Sequence, residues 1–400
     1  MKKYLHLTEK QNELMNIACG GLRRINVLHG SVRSGKTWAS LVLWCVWIRN
    51  MPIESSYIMA AKTMTALKRN CLDLLEKLAG QRNFKYSISK KEATLFGRRI
   101  YLESVSDSGA EGKIRGMTLR GAYCDELTLF DESFFSMLLS RLSEPGARLF
   151  ATTNPDNPNH WFKVNYIDRR EELDLLLMEF LIDDNTFLDP AYVASLKKEY
   201  TGVFYRRFIL GEWCCAEGLV YPMFDAARHV VAEIPPPKGE CEYYISIDYG
   251  TMNPCSMGLW RLDEERAVRI AEWYYSGRKE RKLLTDEEYC DRLEELAEGY
   301  DIRCIIIDPS AASFIEAIRR RGKFSVRKAD NSVLNGIRIT GTLLASDRLL
   351  FHKSCTDTIR EFGTYSWDSD APEDRVIKEF DHAMDDIRYF CATVAARRLR

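Results

Sequence analysis

The chain has 400 residues, 46% hydrophobic and 29% charged, enough for two or three domains with sizeable cores. A net charge of −1 excludes a wholly basic nucleic-acid coat but leaves room for a locally basic groove. Twelve cysteines, with no C-x-x-C pair and no leader-like start, read as buried thiols of a reducing cytosol, so a secreted, disulfide-framed protein is not expected.

In chain order, an apolar strand at Ile25–His29 runs into GSVRSGKT, Gly30–Thr37, which satisfies G-x-x-x-x-G-K-[ST] and opens a helical run. Strand, glycine-rich loop and helix N-terminus together make a phosphate cradle. Backbone N–H groups of Gly30, Ser31, Arg33, Ser34 and Gly35 would surround a polyphosphate, Lys36 would reach its outer phosphates, and Thr37 would ligate Mg²⁺. The apolar stretch Trp38–Ile48 is too short to span a bilayer, and nothing directs the chain to a membrane. Next come a strand at Tyr57–Ala60, a helix at Thr63–Leu78 and a hairpin around Ala93–Glu103. GAYCDE, Gly121–Glu126, predicts a second strand ending in two acids. Asp125 would hold the metal through water and Glu126 would orient or deprotonate the attacking water. After a helix at Glu132–Ser143, RLFATTN puts Thr152, Thr153 and Asn154 at the C-terminal end of a strand, where they would sense a γ-phosphate or cap the next helix. Residues 159–211 read as helical, and 217–240, rich in Pro and Gly, read as a linker.

A second strand-rich unit follows, with YYISID, SMGLWRL and AVRIAEWYY in succession. Asp248 ends the first of these strands, Asp308 ends a later buried strand after a helix at Asp286–Tyr300, and Asp385 lies on a C-terminal amphipathic helix. Two carboxylates about 4 Å apart repel by roughly 4 kcal/mol at an effective dielectric of 20, so converging acids call for a cation. Mg²⁺ or Mn²⁺ on Asp248, Asp308 and Asp385 would polarise a phosphodiester and activate water. His382, on the same helical face as Asp385, would bind or orient metal or water. Asp386 would point elsewhere, to solvent or to an arginine. Candidate DNA-facing cations are Arg278, Lys279, Arg281 and Lys282; Arg319–Arg321 with Lys323, Arg327 and Lys328; and Arg397, Arg398 and Arg400.

These features, in this order, resemble the large terminase subunit of tailed bacteriophages. GSVRSGKT, CDE, ATTNP, SIDYGTMNP, IIIDPS and DHAMDDIRY carry the resemblance over nearly the whole chain. It implies an α/β protein with an N-terminal P-loop ATPase domain on a mostly parallel sheet, residues 1–216. A linker at 217–240 and a C-terminal RNase H-like nuclease domain at 241–400 would follow. Lys36, Thr37, Asp125 and Glu126 match the ATPase motifs, Thr152–Asn154 the coupling motif, and Asp248, Asp308, Asp385 and His382 the nuclease motifs. The resemblance also implies that Gln11 contacts adenine, and Arg33 stands where a phosphate-sensing arginine is often found. A trans-acting arginine would be Arg115 or Arg141. The expected cofactors are ATP and Mg²⁺, with Mn²⁺ possible at the nuclease site. The expected partners are double-stranded DNA, a small terminase subunit and the portal protein, with a homo-oligomeric ring, a pentamer, during packaging. The expected setting is the host bacterial cytoplasm, transiently on the procapsid portal. The alternative is a DNA-stimulated ATPase or helicase-nuclease of recombination or repair.

Overall fold

A computed structural model describes residues 6–105, 109–369, 371 and 373–399. They form two compact units. The first runs through Ala194 and takes up Tyr205–Cys215, and the second holds Ser195–Phe204 and the chain from Ala216 on.

The first unit is built on eight strands: β1 (Ile25–Gly30), β2 (Ser56–Ala61), β3 (Phe84–Ser87), β4 (Glu92–Leu95), β5 (Arg98–Ser104), β6 (Gly121–Cys124), β7 (Arg148–Thr153) and β8 (Leu175–Phe180). Their order is β3-β4-β5-β2-β6-β7-β1-β8. The run from β5 to β8 is parallel, and only β3 and β4 join antiparallel. Parallel strands need cover on both faces. One cover is the helix Lys36–Arg49, whose Trp44 and Trp47 pack on Tyr57 and Phe150 of the sheet. The order matters for chemistry because β7 lies between β1, which carries the phosphate loop, and β6, which carries the acids.

The second unit holds β9 (Val230–Val231), β10 (Glu242–Asp248), β11 (Cys255–Leu262), β12 (Ala267–Tyr275), β13 (Ile302–Ile307), β14 (Val326–Lys328) and β15 (Leu349–His352), ordered β14-β13-β10-β11-β12-β15-β9. β10, β11 and β12 form an antiparallel meander, while β13 and then β14 add in parallel beside β10. That layout is compatible with the RNase H-like sheet expected from the sequence. The helix His382–Phe390 packs across it through Phe390, stacked on Trp260 with ring centroids 4.3 Å apart. Among the described residues no helix is long and apolar enough to cross a membrane.

Three sequence expectations are corrected. Residues 175–180 are a strand, not a helix: LLLMEF has helix-forming residues, but parallel pairing with β1 overrides propensity. The helix expected at Thr63–Leu78 is interrupted by a π-helical turn at Lys68–Leu72. Residues 217–240 are no free linker. Val220 and Tyr221 are buried in the second unit's core, and β9 pairs with β15.

Candidate active sites

The phosphate loop is held open from outside. Gly30 has φ +130°, and a Cβ there would lie 2.1 Å from the Phe180 carbonyl oxygen, so only glycine fits. Ser31 N–H donates to Phe180 O at 2.9 Å and Val32 N–H to Phe208 O at 2.8 Å, which pins the loop's outer rim and means that the Ser31 N–H, expected to face the phosphates, is already taken. Asn185 Nδ2 donates to Arg33 O at 2.7 Å, and Arg33 itself is left-handed at φ +58°. The Ser31 and Ser34 hydroxyls are buried without a partner among the described residues. Orphaned buried donors beside a helix N-terminus suit a polyphosphate, so the loop fits a nucleotide.

Lys36 is buried, and its Nζ donates to Ser31 O at 2.8 Å and to Asn154 Oδ1 at 2.7 Å. Burial lowers its pKa to about 8 against the pull of Asp125 and Glu126. Asp125 is buried too, with Thr152 Oγ1 donating to Oδ1 at 2.7 Å and Asn70 Nδ2 to Oδ2 at 3.0 Å. Glu126 takes a left-handed backbone, φ +54°, rare for a residue with a side chain. Burial first, and Asp125 second, raise its pKa, as suits a group that accepts a proton from water.

In the second unit, β10 and β13 run in register, Ile247 beside Ile307, so Asp248 and Asp308 emerge at the same edge. The helix His382–Phe390 brings Asp385 and Tyr389 to that edge. His382 Nδ1 lies 2.8 Å from Asp248 Oδ2, and Tyr389 OH donates to Asp248 Oδ1 at 3.5 Å. Burial, with Asp385 nearby, raises the Asp248 pKa to about 6, while His382 opposes the shift. Burial also pushes on Asp308, but donors from Ser310, Asn331 and Tyr389 hold its pKa below the usual range. Asp385 accepts from Arg388 Nη2 at 2.9 Å and from Lys378 Nζ at 3.2 Å. Among the described residues no three such side chains stand close enough to form a ready-made metal cluster. The donor set still suits a hard divalent cation, with carboxylate oxygens at one edge and an elevated Asp248 that positive charge would lower.

Comparison with known proteins agrees with this geometry. Residues 27–228 match the family described as terminase large subunit, T4likevirus-type, N-terminal. The crystal structure of the large terminase of a thermophilic bacteriophage is 36% identical and covers 98% of this chain and 100% of its own, with a TM-score of 0.90. The chain belongs to the large terminase family. The same thermophilic phage protein has also been solved with ATP-gamma-S, at a TM-score of 0.87. The large terminase of Escherichia phage T5 is 20% identical over 282 residues, 66% of this chain and 63% of its own length.

Several residues of this large terminase have partners that sequence alone does not specify. Thr152 reaches Asp125. The Thr153 hydroxyl instead meets Thr128, at 3.2 Å from its N–H, bracing the turn after Glu126. Gln11 closes a capping box with Thr8, its Oε1 accepting from Thr8 N at 3.1 Å, so only Nε2 lies against Gly35. Asp386 is fully buried and paired with Arg269, the arginine-paired alternative. Arg115 is exposed and paired with Glu111, and Arg141 is half-buried.

Sequence reasoning missed Asn70, Asn185 and Glu361. Glu361 is fully buried, accepts from Tyr274 OH at 2.6 Å and Ala383 N at 2.7 Å, and has a pKa raised by burial to about 7. No motif marks them. Glu361 could have drawn notice only as a charged residue in an otherwise amphipathic stretch.

Proposed function

We propose that this large terminase hydrolyses ATP at the phosphate loop to move double-stranded DNA into a procapsid, and cuts the DNA at the edge carrying Asp248, Asp308 and Asp385. The observation that carries the first half is the connected set Lys36–Asn154 and Thr152–Asp125–Asn70 across three parallel strands. Asn154 on the β7 end meets the phosphate-binding lysine, and its neighbour Thr152 meets the metal-facing acid. A change at the outer phosphate thus reaches β6 and β7 together, as a motor that couples hydrolysis to movement requires.

At this site Lys36 and the loop N–H groups bind the phosphates, Thr37 and Asp125 would hold Mg²⁺, and Glu126 orients the attacking water and takes its proton. The relative from the thermophilic phage was solved with ADP and with ATP-gamma-S, which supports a nucleotide in this loop. At the second edge Asp248, Asp308 and Asp385, with His382 beside them, would hold Mg²⁺ or Mn²⁺, which would polarise the phosphodiester and activate water. His382, hydrogen-bonded to Asp248, orients that carboxylate. Tyr389 braces Asp248 from the helix side. The partners that follow are double-stranded DNA, a small terminase subunit and the portal protein, in a homo-oligomeric ring in the host cytoplasm. A helicase-nuclease fits less well, because the second unit is this different sheet and not another motor domain.

The test uses the full chain. Wild type is expected to hydrolyse ATP and to nick supercoiled plasmid only with Mg²⁺ or Mn²⁺. Glu126→Gln is expected to lose hydrolysis while still binding nucleotide, and Asp248→Asn to lose nicking while keeping ATPase. Nicking by Asp248→Asn at the wild-type rate would place the cutting site elsewhere.

A further inference from the structure

Resting on the nuclease reading above, we infer that two basic arms at opposite ends of the acid-bearing edge grip the two backbones of one DNA duplex. The strand register defines the geometry. Lys328 pairs with Ile307, Ile307 with Ile247, Ile247 with Met257, and Met257 with Trp273. These residues form one row across five adjacent strands. At the usual strand spacing of 4.7–4.9 Å the row spans about 19 Å. Asp308 and Asp248 project just beyond the middle of the row, and the arms lie at its ends.

The first arm is the turn that follows β12. Arg278, Lys279 and Arg281 are exposed there, and no carboxylate meets them among the described residues. Lys282 is paired with Glu288 at 3.0 Å, and Glu280 is the turn's own acid, so the arm remains net positive. The turn is docked on the loop that leaves Asp248: Arg278 N–H donates to Met252 O at 3.2 Å, and a Cβ on Gly277 would lie 2.3 Å from Thr251 O. Tyr275 OH closes its far side on Lys282 O at 2.8 Å. These cations are therefore fixed relative to the catalytic acid and do not swing on a free loop.

The second arm is β14, an edge strand, with Arg327 and Lys328 exposed and likewise unmet by a carboxylate among the described residues. It is tied to the other acid. Ala329 N–H donates to Ile307 O at 2.9 Å, and Asn331 Nδ2 donates to Asp308 Oδ2 at 3.1 Å.

The other basic runs do not qualify. Arg321 is held by Glu287, Asp291 and Glu294, Lys323 pairs with Glu294, Arg320 lies 3.7 Å from Glu316, and Arg398 pairs with Glu242. Arg319, in the last turn of the helix Ala312–Arg321 that leads away from Asp308, and Arg397, next to the Arg398 that meets Glu242 at the start of β10, are exposed but stand away from the acid-bearing edge. Arg400 lies outside the described residues.

The strands that lead into the two arms stand about 19 Å apart, more than either groove of B-DNA, about 12 Å for the major and about 6 Å for the minor. Each arm can then sit on a different strand's phosphates with the acids facing the groove edge between them. Contact would be to backbone only, which makes it indifferent to sequence and sensitive to salt.

The experiment measures plasmid nicking by the full chain with Mn²⁺ as a function of KCl. It compares wild type, Arg278→Ala/Lys279→Ala/Arg281→Ala, Arg327→Ala/Lys328→Ala and, as a control, Arg320→Ala/Lys323→Ala. Each lost phosphate contact lowers the slope of log(kcat/KM) against log[salt] by about 0.9. The first arm's variant is expected to flatten the slope by roughly 2–3 and the second arm's by roughly 1–2. Both should act through KM, with kcat at saturating DNA within twofold of wild type, and the control should follow wild type. An unchanged slope in either arm's variant overturns the two-armed grip, as does an equal change in the control. Absence of nicking by the wild type refutes the nuclease reading, and this proposal with it. Differential scanning calorimetry of each variant, with the transitions of both units compared with wild type, reports that the mutated unit is folded.

Discussion

Asp386→Ala tests the electrostatics beneath the nuclease edge. Asp386 and Arg269 are both fully buried, with Arg269 Nη2 donating to Asp386 Oδ2 at 3.0 Å and Ser246 Oγ to Oδ1 at 2.9 Å. Trp260 Nε1 completes the network on Ser246 Oγ at 2.8 Å. Glycine at 258 makes room for the guanidinium, since a Cβ there would stand 2.1 Å from Arg269 Nη1. Removing Asp386 leaves buried Arg269 with only the more distant Glu272, 3.6 Å away, as a counter-charge, and breaking such a buried pair costs about 3–5 kcal/mol. For a unit of this size each kcal/mol moves Tm by about 2–4 °C, so Asp386→Ala should lower the affected transition by roughly 6–20 °C. Asp386→Ala/Arg269→Met removes both charges and refills the volume, so it should recover most of that loss. The assay is differential scanning calorimetry of the full chain, single and double variants together, read as a double-mutant cycle. A loss below about 1 kcal/mol for Asp386→Ala, or a double variant no better than the sum of the singles, refutes the reasoning.

Two further outcomes follow from the same interactions. Asn70→Ala removes one of the two donors that fix Asp125, so the Mg²⁺ concentration for half-maximal ATPase should rise roughly 10–100-fold; an unchanged Mg²⁺ dependence would show that Thr152 alone positions the acid. Burial raises the Glu361 pKa from 4.5 to about 7, so the fold favours its protonated form. The stability this lends is complete below pH 4.5 and is lost as pH rises through about 7. Relative to Glu361→Gln, wild type should lose on the order of 3 kcal/mol across that interval in pH-dependent denaturation, and parallel stability curves would contradict it.

Much of the site was legible because its chemistry is local in sequence. A phosphate loop needs its glycines, lysine and threonine within eight residues, and strand-ending acids stand beside the apolar runs that bury them. The strand-end positions of Asp125, Asp248 and Asp308, the helix position of Asp385 and the loop position of Lys36 were therefore readable from local pattern. Asn70, Asn185 and Glu361 were not, because each acts through a partner that only folding brings near. A π-helical turn aims Asn70 at β6, and no pattern in KRNCL announces it.

The sequence by itself determined that two chemistries lie in one chain, in which order, and on which strand ends, since periodicity and spacing record local backbone and burial. Tertiary structure decided what those strands do to one another. Placing β7 between β1 and β6 put Thr152 on Asp125 and Asn154 on Lys36, and pairing with β1 made a strand of a helix-forming run. It also decided which cations of the basic clusters meet acids and which stand exposed beside the acid-bearing edge. Charge pairing depends on distances across the fold, which the order of residues along the chain does not contain.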